Sequence, residues 1–362
     1  MFFFKQINIS SSHVPDHCST YALSDPKDSR FTSNCDHDHD LLCERCEELK
    51  TTLSVIEAAI SNGSFETENE KDDAQYVFQE AVTAINNWKA HQLRVVNQDR
   101  ARSDVIDCLN ETNILLIQDW AMKFLPRLYR ESQGEWFGKR GLSWHIAVVL
   151  RKKEEEIETQ AFIHIVECRA QDSACVVTLM EHVLATLKKE NPEIENAFVR
   201  MDNAGCYHSS STVLACKNIS KRTGVFIRRL DFSDPQGGKG PCDRFAATMK
   251  NHVRAYVNEG HDVITAEQFQ EAMLSNGGVP GARIVLLPDP LCDKPTCKFP
   301  GISKVNNFEF SSDGVKVWRA YQVGEGKQFS WSQFEGKKKH KLSALSLFAQ
   351  LTYPYLLCLI LN

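Results

Sequence analysis

Apolar positions recur at two different periods along this chain, and the change of period divides it into regions. From Glu44 to Ile60 the residues Leu49, Leu53, Ile56 and Ile60 repeat at helical spacing, and Phe78, Val82, Ile85 and Trp88 form a second helical stripe. The acidic stretch Asn62–Asp73 predicts an exposed linker between the two helices. From about Asn113 short apolar runs alternate with helical patterns, the signature of a mixed α/β domain. Strands are expected at Ile114–Gln118, Ser143–Leu150, Gln160–Cys168, Ala197–Met201 and Gly224–Leu230. Helices are expected at Val176–Leu187, Ser211–Lys221 and Asp243–Asn258, the last with Phe245, Met249, Val253 and Tyr256 on one apolar stripe. Further on, Thr265 with Gln268 three residues later makes a capping-box pattern. Ser311-Ser312-Asp313-Gly314 predicts a hairpin turn between strands Phe308–Phe310 and Val315–Val323.

Five segments follow: 1–48, rich in Cys, His and Asp; 49–112, helical; 113–258, an α/β core on a mixed five-stranded sheet with flanking helices; 259–336, a small α+β extension; and 337–362, a basic run and an apolar tail. The first segment is poor in apolar runs, so order there calls for something other than a hydrophobic core, and a metal is the natural candidate. The tail Ala344–Leu361 approaches the length of a membrane span, yet Gln350, Thr352 and Pro354 interrupt it. Membrane attachment is the less favoured reading, behind a partly buried segment or a chain end that is not native.

Composition changes this picture in two places. At 362 residues the chain exceeds one ordinary domain, and 42% hydrophobic with 25% charged residues excludes a wholly disordered or polytopic membrane chain. Thirteen cysteines, an odd number in so long a chain, fit a reducing compartment better than a disulfide framework. The start Met1–Ile7 breaks at Lys5 and Gln6 before a signal-peptide core forms, so a secretory route is not expected. A net charge of -5 gives no hint of a nucleic-acid partner, but the charge is uneven. Between Lys217 and Arg254 nine bases (Lys217, Lys221, Arg222, Arg228, Arg229, Lys239, Arg244, Lys250, Arg254) stand against three acids (Asp231, Asp234, Asp243), which suits a polyanion.

The carboxylates give that local charge a chemical setting. Ile114-Leu-Leu-Ile-Gln-Asp119 and Ala197-Phe-Val-Arg-Met-Asp202 each run an apolar strand into an aspartate, at the strand end where α/β sheets place their chemistry. The third element is Asp231-Phe-Ser-Asp-Pro-Gln-Gly-Gly-Lys-Gly-Pro-Cys-Asp243, a Gly-rich loop that feeds a helix with Asp243 in its first turn. Lys250 is two helical turns on, so it shares a face with Asp243, and Arg254 extends that face. Three convergent carboxylates can hold two Mg²⁺ or Mn²⁺ ions, since hard cations take oxygen ligands. Asp231 and Asp234 are read as turn residues before Pro235, with either standing as an alternative third ligand.

These segments, with Asp202-Asn-Ala-Gly-Cys-Tyr-His-Ser209 at their centre, resemble the catalytic motifs of the ribonuclease-H-like integrase and transposase superfamily, in particular eukaryotic transposase-derived proteins. The resemblance covers residues 113–258 and implies a ribonuclease-H-like fold behind a zinc-binding and helical N-terminal arm. It implies catalytic, metal-holding roles for Asp119, Asp202 and Asp243, with a DNA contact by Lys250; the local basic excess adds Arg254, Lys239 and Arg244 as candidate DNA contacts. DNA, rather than a small molecule, is the implied substrate, in a homo-oligomer located in the nucleus or, alternatively, the cytoplasm. A domesticated, catalytically silent DNA-binding protein with a zinc module is the other reading. The third acid is Asp where many relatives carry Glu, and the 83-residue gap between the first two (202 − 119) implies an insertion, placed near Arg151–Glu158.

Cys35-x-His37-x-His39-x₃-Cys43-x₂-Cys46 offers five donors where zinc takes four, with Cys18 and His13 in reserve. Cys292-x₄-Cys297 is a weaker pattern, better read as buried or unpaired thiols. Gln236-Gly-Gly-Lys-Gly lacks the Gly-Lys-Ser/Thr ending of a nucleotide P-loop. Cys206 and His208 are too close in sequence to align as nucleophile and base.

Overall fold

In a computed structural model the described residues are 12–166, 171–234, 240–287 and 298–334. They fall into two compact units that do not follow chain order. One comprises residues up to Asp104 with Val305–Asn307 and Lys316–Gln328; the other holds Val105–Lys304, Phe308–Val315 and the chain from Phe329.

In the first unit the short helix α1 (Ser19–Ala22) follows a 3₁₀ turn at Pro15–His17. Then come α2 (Glu44–Asn62) and α3 (Glu68–Asp107), whose 40 residues carry it beyond this unit. The expected linker Asn62–Asp73 is therefore shorter than its acidity suggests. Glu68 and Glu70 open α3, where carboxylates complement the positive end of the helix dipole, and Glu70 accepts from the Glu66 and Thr67 amides. The stripes on these helices are buried only in part: Phe78 is buried, whereas Ile56 is 41% and Trp88 54% exposed. Later in α3 Asn97 exchanges two hydrogen bonds with the Tyr321 backbone (2.7 and 3.1 Å) and Gln98 pairs with Asn307 (2.9 and 3.2 Å).

The second unit is built on β1 (Asn113–Trp120), β2 (Ser143–Lys153), β3 (Glu156–Val166), β4 (Asn196–Met201) and β5 (Phe226–Phe232). A four-residue helix α4 (Gln133–Trp136) lies between β1 and β2. β1 to β3 form an antiparallel meander, while β4 lies parallel to β1 and β5 parallel to β4. Helices α5 (Ser173–Glu190) and α6 (Ser210–Thr223) precede β4 and β5, and α7 (Pro241–Asn258) and α8 (Ala266–Leu274) follow. The Thr265/Gln268 capping box opens α8 as expected. Ile146, Val148, Ile163 and Ile165 of the sheet pack against Met249 and Val253 of α7 and Phe269 and Met273 of α8. The opposite face carries α5, with Cys175 and Leu179 against Trp120 and Val166.

Among the described residues the sheet has nine strands rather than the five expected, in the order β6-β3-β2-β1-β4-β5-β7-β8-β9, once β6 (Ala282–Leu287), β7 (Asn307–Phe310), β8 (Gly314–Trp318) and β9 (Lys327–Ser330) are included. β6 joins parallel to β3. The turn Ser311–Gly314 forms as expected, closed by Ser311 N–H to Gly314 O at 2.9 Å. Residues 151–158 form the β2–β3 hairpin, paired Arg151 to Glu158 through Lys153 to Glu156, with Glu154 and Glu155 both at positive φ in the tight turn. The 121–142 segment around α4 is tied down by bridges from Phe124 to Leu142 and from Arg127 to Val263.

Candidate functional site

Adjacent parallel strands bring two of the acids together. β1 and β4 pair in register up to Gln118 opposite Met201, so Asp119 and Asp202 are the next residue on each strand, at the same C-terminal edge. The third acid is delivered by a buried thiol. The single S–H of Cys242 is shared between the backbone carbonyls of Ile117 (3.4 Å) and Ile146 (3.6 Å), which holds the first turn of α7 against β1 and β2 with Asp243 as the next residue. Burial, reinforced by the charges of Asp202 and then Asp243, pushes the Asp119 carboxyl up to about 7. Each of the other two already has a local partner: Asp202 accepts from Asn203 N (2.6 Å) and Asp243 from Gly240 N (2.8 Å). The three form no group with ligand atoms all within 4.8 Å; among the described residues such groups lie only in the N-terminal arm.

Asp231 is not a turn residue. It sits inside β5, 3% exposed, with Arg229 Nε at 2.8 Å. Cys206 and His208 do not pair either, since the His208 Nδ1 contacts Asn203 Oδ1 and its ring stacks on Phe232. Burial raises the Cys206 thiol above its ordinary range, the wrong direction for a nucleophile.

The basic cluster is smaller than its count in the sequence. Arg222 makes a bidentate pair with buried Glu181 (2.5 and 2.7 Å), Arg229 is held by Asp231, Arg228 reaches Asn196 (2.7 Å), and Lys217 lies over the Trp331 ring. Arg244, Lys250 and Arg254 of α7 are exposed and have no ion-pair partner among the described residues. Lys239, the Gln236–Gly240 loop apart from its last residue, Cys292, Cys297 and the tail lie outside the described residues. No helix among the described residues is long and apolar enough to cross a membrane.

Beneath Asp119 lies a polar layer that reading the sequence missed. Among the described residues Gln118, Trp120 and His145 have buried polar atoms without hydrogen-bond partners, as does the Tyr207 hydroxyl. The His145 ring meets Trp120 (5.0 Å), Tyr207 (6.2 Å) and His164 (6.0 Å). The only signal was a polar residue inside each apolar strand, Trp144-His145-Ile146 and Ile163-His164-Ile165.

In the arm, the five expected zinc donors do not form one group. Cys35, His37 and His39 gather with Cys18, and Cys43 and Cys46 gather with His17, a donor not anticipated. In the first group Cys18 Sγ and Cys35 Sγ stand 3.6 Å apart, far beyond a disulfide bond of about 2.05 Å and close to the roughly 3.8 Å edge of a tetrahedron with 2.3 Å metal–sulfur bonds. Among the described residues His37 Nε2 and His39 Nε2 are buried without hydrogen-bond partners, and Asp36 holds the other nitrogen of His37 at 3.0 Å, as a carboxylate behind a metal-binding imidazole does. These four side chains fit a metal ion.

A model of the domain of unknown function DUF8701 matches residues 98–279, half the chain, including all three aspartates. The chain belongs to the DUF8701 family. No curated protein matches this DUF8701 chain. Solved structures aligned with it include the Mos1 transposase paired-end complex with left transposon end (11% identity, 65% of this chain and 72% of that chain, TM-score 0.26). The Mos1 mariner paired end complex with Mn aligns at 9% identity over 66% of this chain and 78% of that chain, with TM-score 0.26. The Mos1 strand transfer complex aligns at 10% identity over 65% and 71%, with TM-score 0.25. Scores this low do not assign a fold to the DUF8701 chain.

Proposed function

We propose that this DUF8701 chain is a transposase- or integrase-like DNA-processing protein whose five central strands form a ribonuclease-H-like core, extended at both edges of the sheet. What supports this most is the placement of Asp119 and Asp202 side by side at one sheet edge, with Asp243 close enough for its charge to raise Asp119. A buried carboxyl under that electrostatic load is what a cation would relieve, so the three acids suit two Mg²⁺ or Mn²⁺ ions. Such ions, when bound, supply activation of an attacking water or 3′-hydroxyl and stabilisation of the leaving oxygen at a phosphodiester.

The chain's own residues do the rest. Cys242 ties the first turn of α7, next to Asp243, to β1 and β2. Lys250, Arg254 and Arg244, joined by Lys239, contact neighbouring phosphates as point charges. A zinc ion on Cys18, Cys35, His37 and His39 braces the N-terminal arm. The same reading carries assembly as a homo-oligomer in the nucleus.

The test is a DNA nicking or strand-transfer assay with added Mg²⁺ or Mn²⁺ on the full chain and its Asp202→Asn form. Activity lost in the variant supports the proposal, and equal activity in both sinks it. The local partners of Asp202 and Asp243 favour a second reading, a domesticated DNA-binding protein. Salt-sensitive DNA binding with no metal-dependent cleavage would establish it.

A further inference from the structure

The arm holds a second donor set whose chemistry is distinct from the first. His17, Cys43 and Cys46 place one imidazole nitrogen and two sulfurs all within 4.8 Å of one another, and His17 Nε2 stands 3.4 Å from Cys46 Sγ. Sulfur and nitrogen donors on one tetrahedral ion, with bonds of about 2.3 and 2.05 Å, lie roughly 3.5 Å apart. Cys43 and Cys46 sit at the N-cap and in the first turn of α2, three residues apart, so one turn of backbone presents both sulfurs together. The Cys43 side chain makes no cap hydrogen bond there, and its sulfur is in hydrogen-bonding contact with that of Cys46. Both cysteines are free, and all three side chains are half-buried, shielded yet reachable by an ion.

We propose that His17, Cys43 and Cys46 hold a second zinc ion, separate from the one that Cys18, Cys35, His37 and His39 would take. Two thiolates and an imidazole select a borderline-soft ion over Mg²⁺ or Mn²⁺. With three protein donors the fourth position falls to an oxygen ligand, water or the carboxylate of Asp16, which precedes His17 and holds Lys89 at 3.0 Å. Neighbours in the chain, His17 and Cys18, then serve different ions. The two sites draw on adjacent residues, His17 ending the turn Pro15–His17 and Cys18 preceding α1, so both ions tie down the same short segment. This stands apart from the DNA chemistry proposed for the aspartates and survives its failure.

Elemental analysis of the purified full chain should return two zinc ions per chain. Titrating the zinc-free chain with Co²⁺ should raise the thiolate-to-cobalt absorption to an end point at two equivalents; carboxylate-bound cobalt lacks that band. The double variant Cys43→Ser/Cys46→Ser, and separately His17→Ala, should bring zinc down to one per chain while the cobalt band of Cys18 and Cys35 persists. Wild-type end points at one equivalent, or zinc content unchanged in the double variant, would overturn the proposal. Because the cobalt end point is read on the wild-type chain, a variant that fails to fold leaves the test intact.

Discussion

His164 on β3 and His182 on α5 face each other with Nε2 and Nδ1 3.1 Å apart, so one ring donates and the other accepts, an arrangement available only while at least one is neutral. Burial drives His164 well below the ordinary histidine range, His182 down to about 4 and the neighbouring His145 down to about 3. The unfolded chain therefore takes up protons that the folded chain refuses. Stability should fall as pH drops from about 6.5 toward 4, each histidine contributing up to ~1.4 kcal/mol per pH unit. Asp119 opposes this trend, since the folded chain keeps its proton up to about 7. Urea unfolding between pH 4 and 8 should show a shallower slope in a His145→Leu chain than in the parent; identical slopes would refute the assignment.

Asp119 itself should weaken the fold it serves. Its carboxyl is raised above that of the unfolded chain, so ionisation is disfavoured in the folded state, and stability is lost as pH rises through about 4 to 7. Asp119→Asn keeps the shape and removes the charge. In the absence of added Mg²⁺ or Mn²⁺ it should stabilise the chain at pH 8 by about 1–3 kcal/mol, measured by urea unfolding. The parent should gain stability from added Mg²⁺ or Mn²⁺ and the variant should not. A variant less stable than its parent would remove the electrostatic account of the site.

What could be read from sequence follows the range of each interaction. The strand ends carrying Asp119 and Asp202 were legible because an apolar run followed by an acid is local, and the start of α7 was legible for the same reason. The pairing of β1 with β4 that sets those acids side by side is long-range, and no spacing reveals it. Zinc donors showed the same divide: the Cys35 to Cys46 cluster is compact in sequence, but its partition depends on His17 and Cys18 returning to meet it. Charge counting failed for Arg222 and Arg229 because their partners, Glu181 and Asp231, are assigned only by packing. The buried histidines were hidden by their small number within otherwise apolar strands.

That reassignment of the arginines makes a paired prediction. Glu181 is 5% exposed, so Arg222→Ala strands a buried charge and should cost about 3–5 kcal/mol in urea unfolding. Lys250→Ala and Arg254→Ala remove exposed charges and should change stability by less than about 0.5 kcal/mol. Their effect belongs in DNA binding, where each lost phosphate contact should reduce the slope of log affinity against log salt by about 0.9. Arg222→Glu paired with Glu181→Arg, if it restores stability without changing DNA affinity, would complete the separation. A Lys250→Ala chain with an unchanged salt slope would take α7 out of the interface.

Gly324 shows how much the first unit rests on contacts between segments almost 300 residues apart in sequence. Its φ is +79°, and a Cβ added there would meet Arg30 O at 2.3 Å and Phe31 Cα at 2.6 Å, both backbone atoms that cannot swing aside. Around it the Gly324 amide donates to Ser33 Oγ (2.6 Å), the Gly326 amide to Arg30 O (2.8 Å), and Arg319 pairs with Asp25 while lying over the Phe31 ring. Gly324→Ala therefore combines a left-handed backbone penalty of about 1 kcal/mol with a clash that forces the two segments apart. The expected result is a loss of at least 2–3 kcal/mol. Amide hydrogen exchange should accelerate at Gly326, whose amide donates to Arg30 O across this contact, and at Phe31, whose amide closes the adjoining turn on Asp28 O, and be unchanged in β1 and β4 of the second unit. Equal protection of Phe31 in variant and parent would mean that residues 28–33 do not depend on the 320–326 turn. A variant that lost protection in β1 as well would show that the two units unfold together.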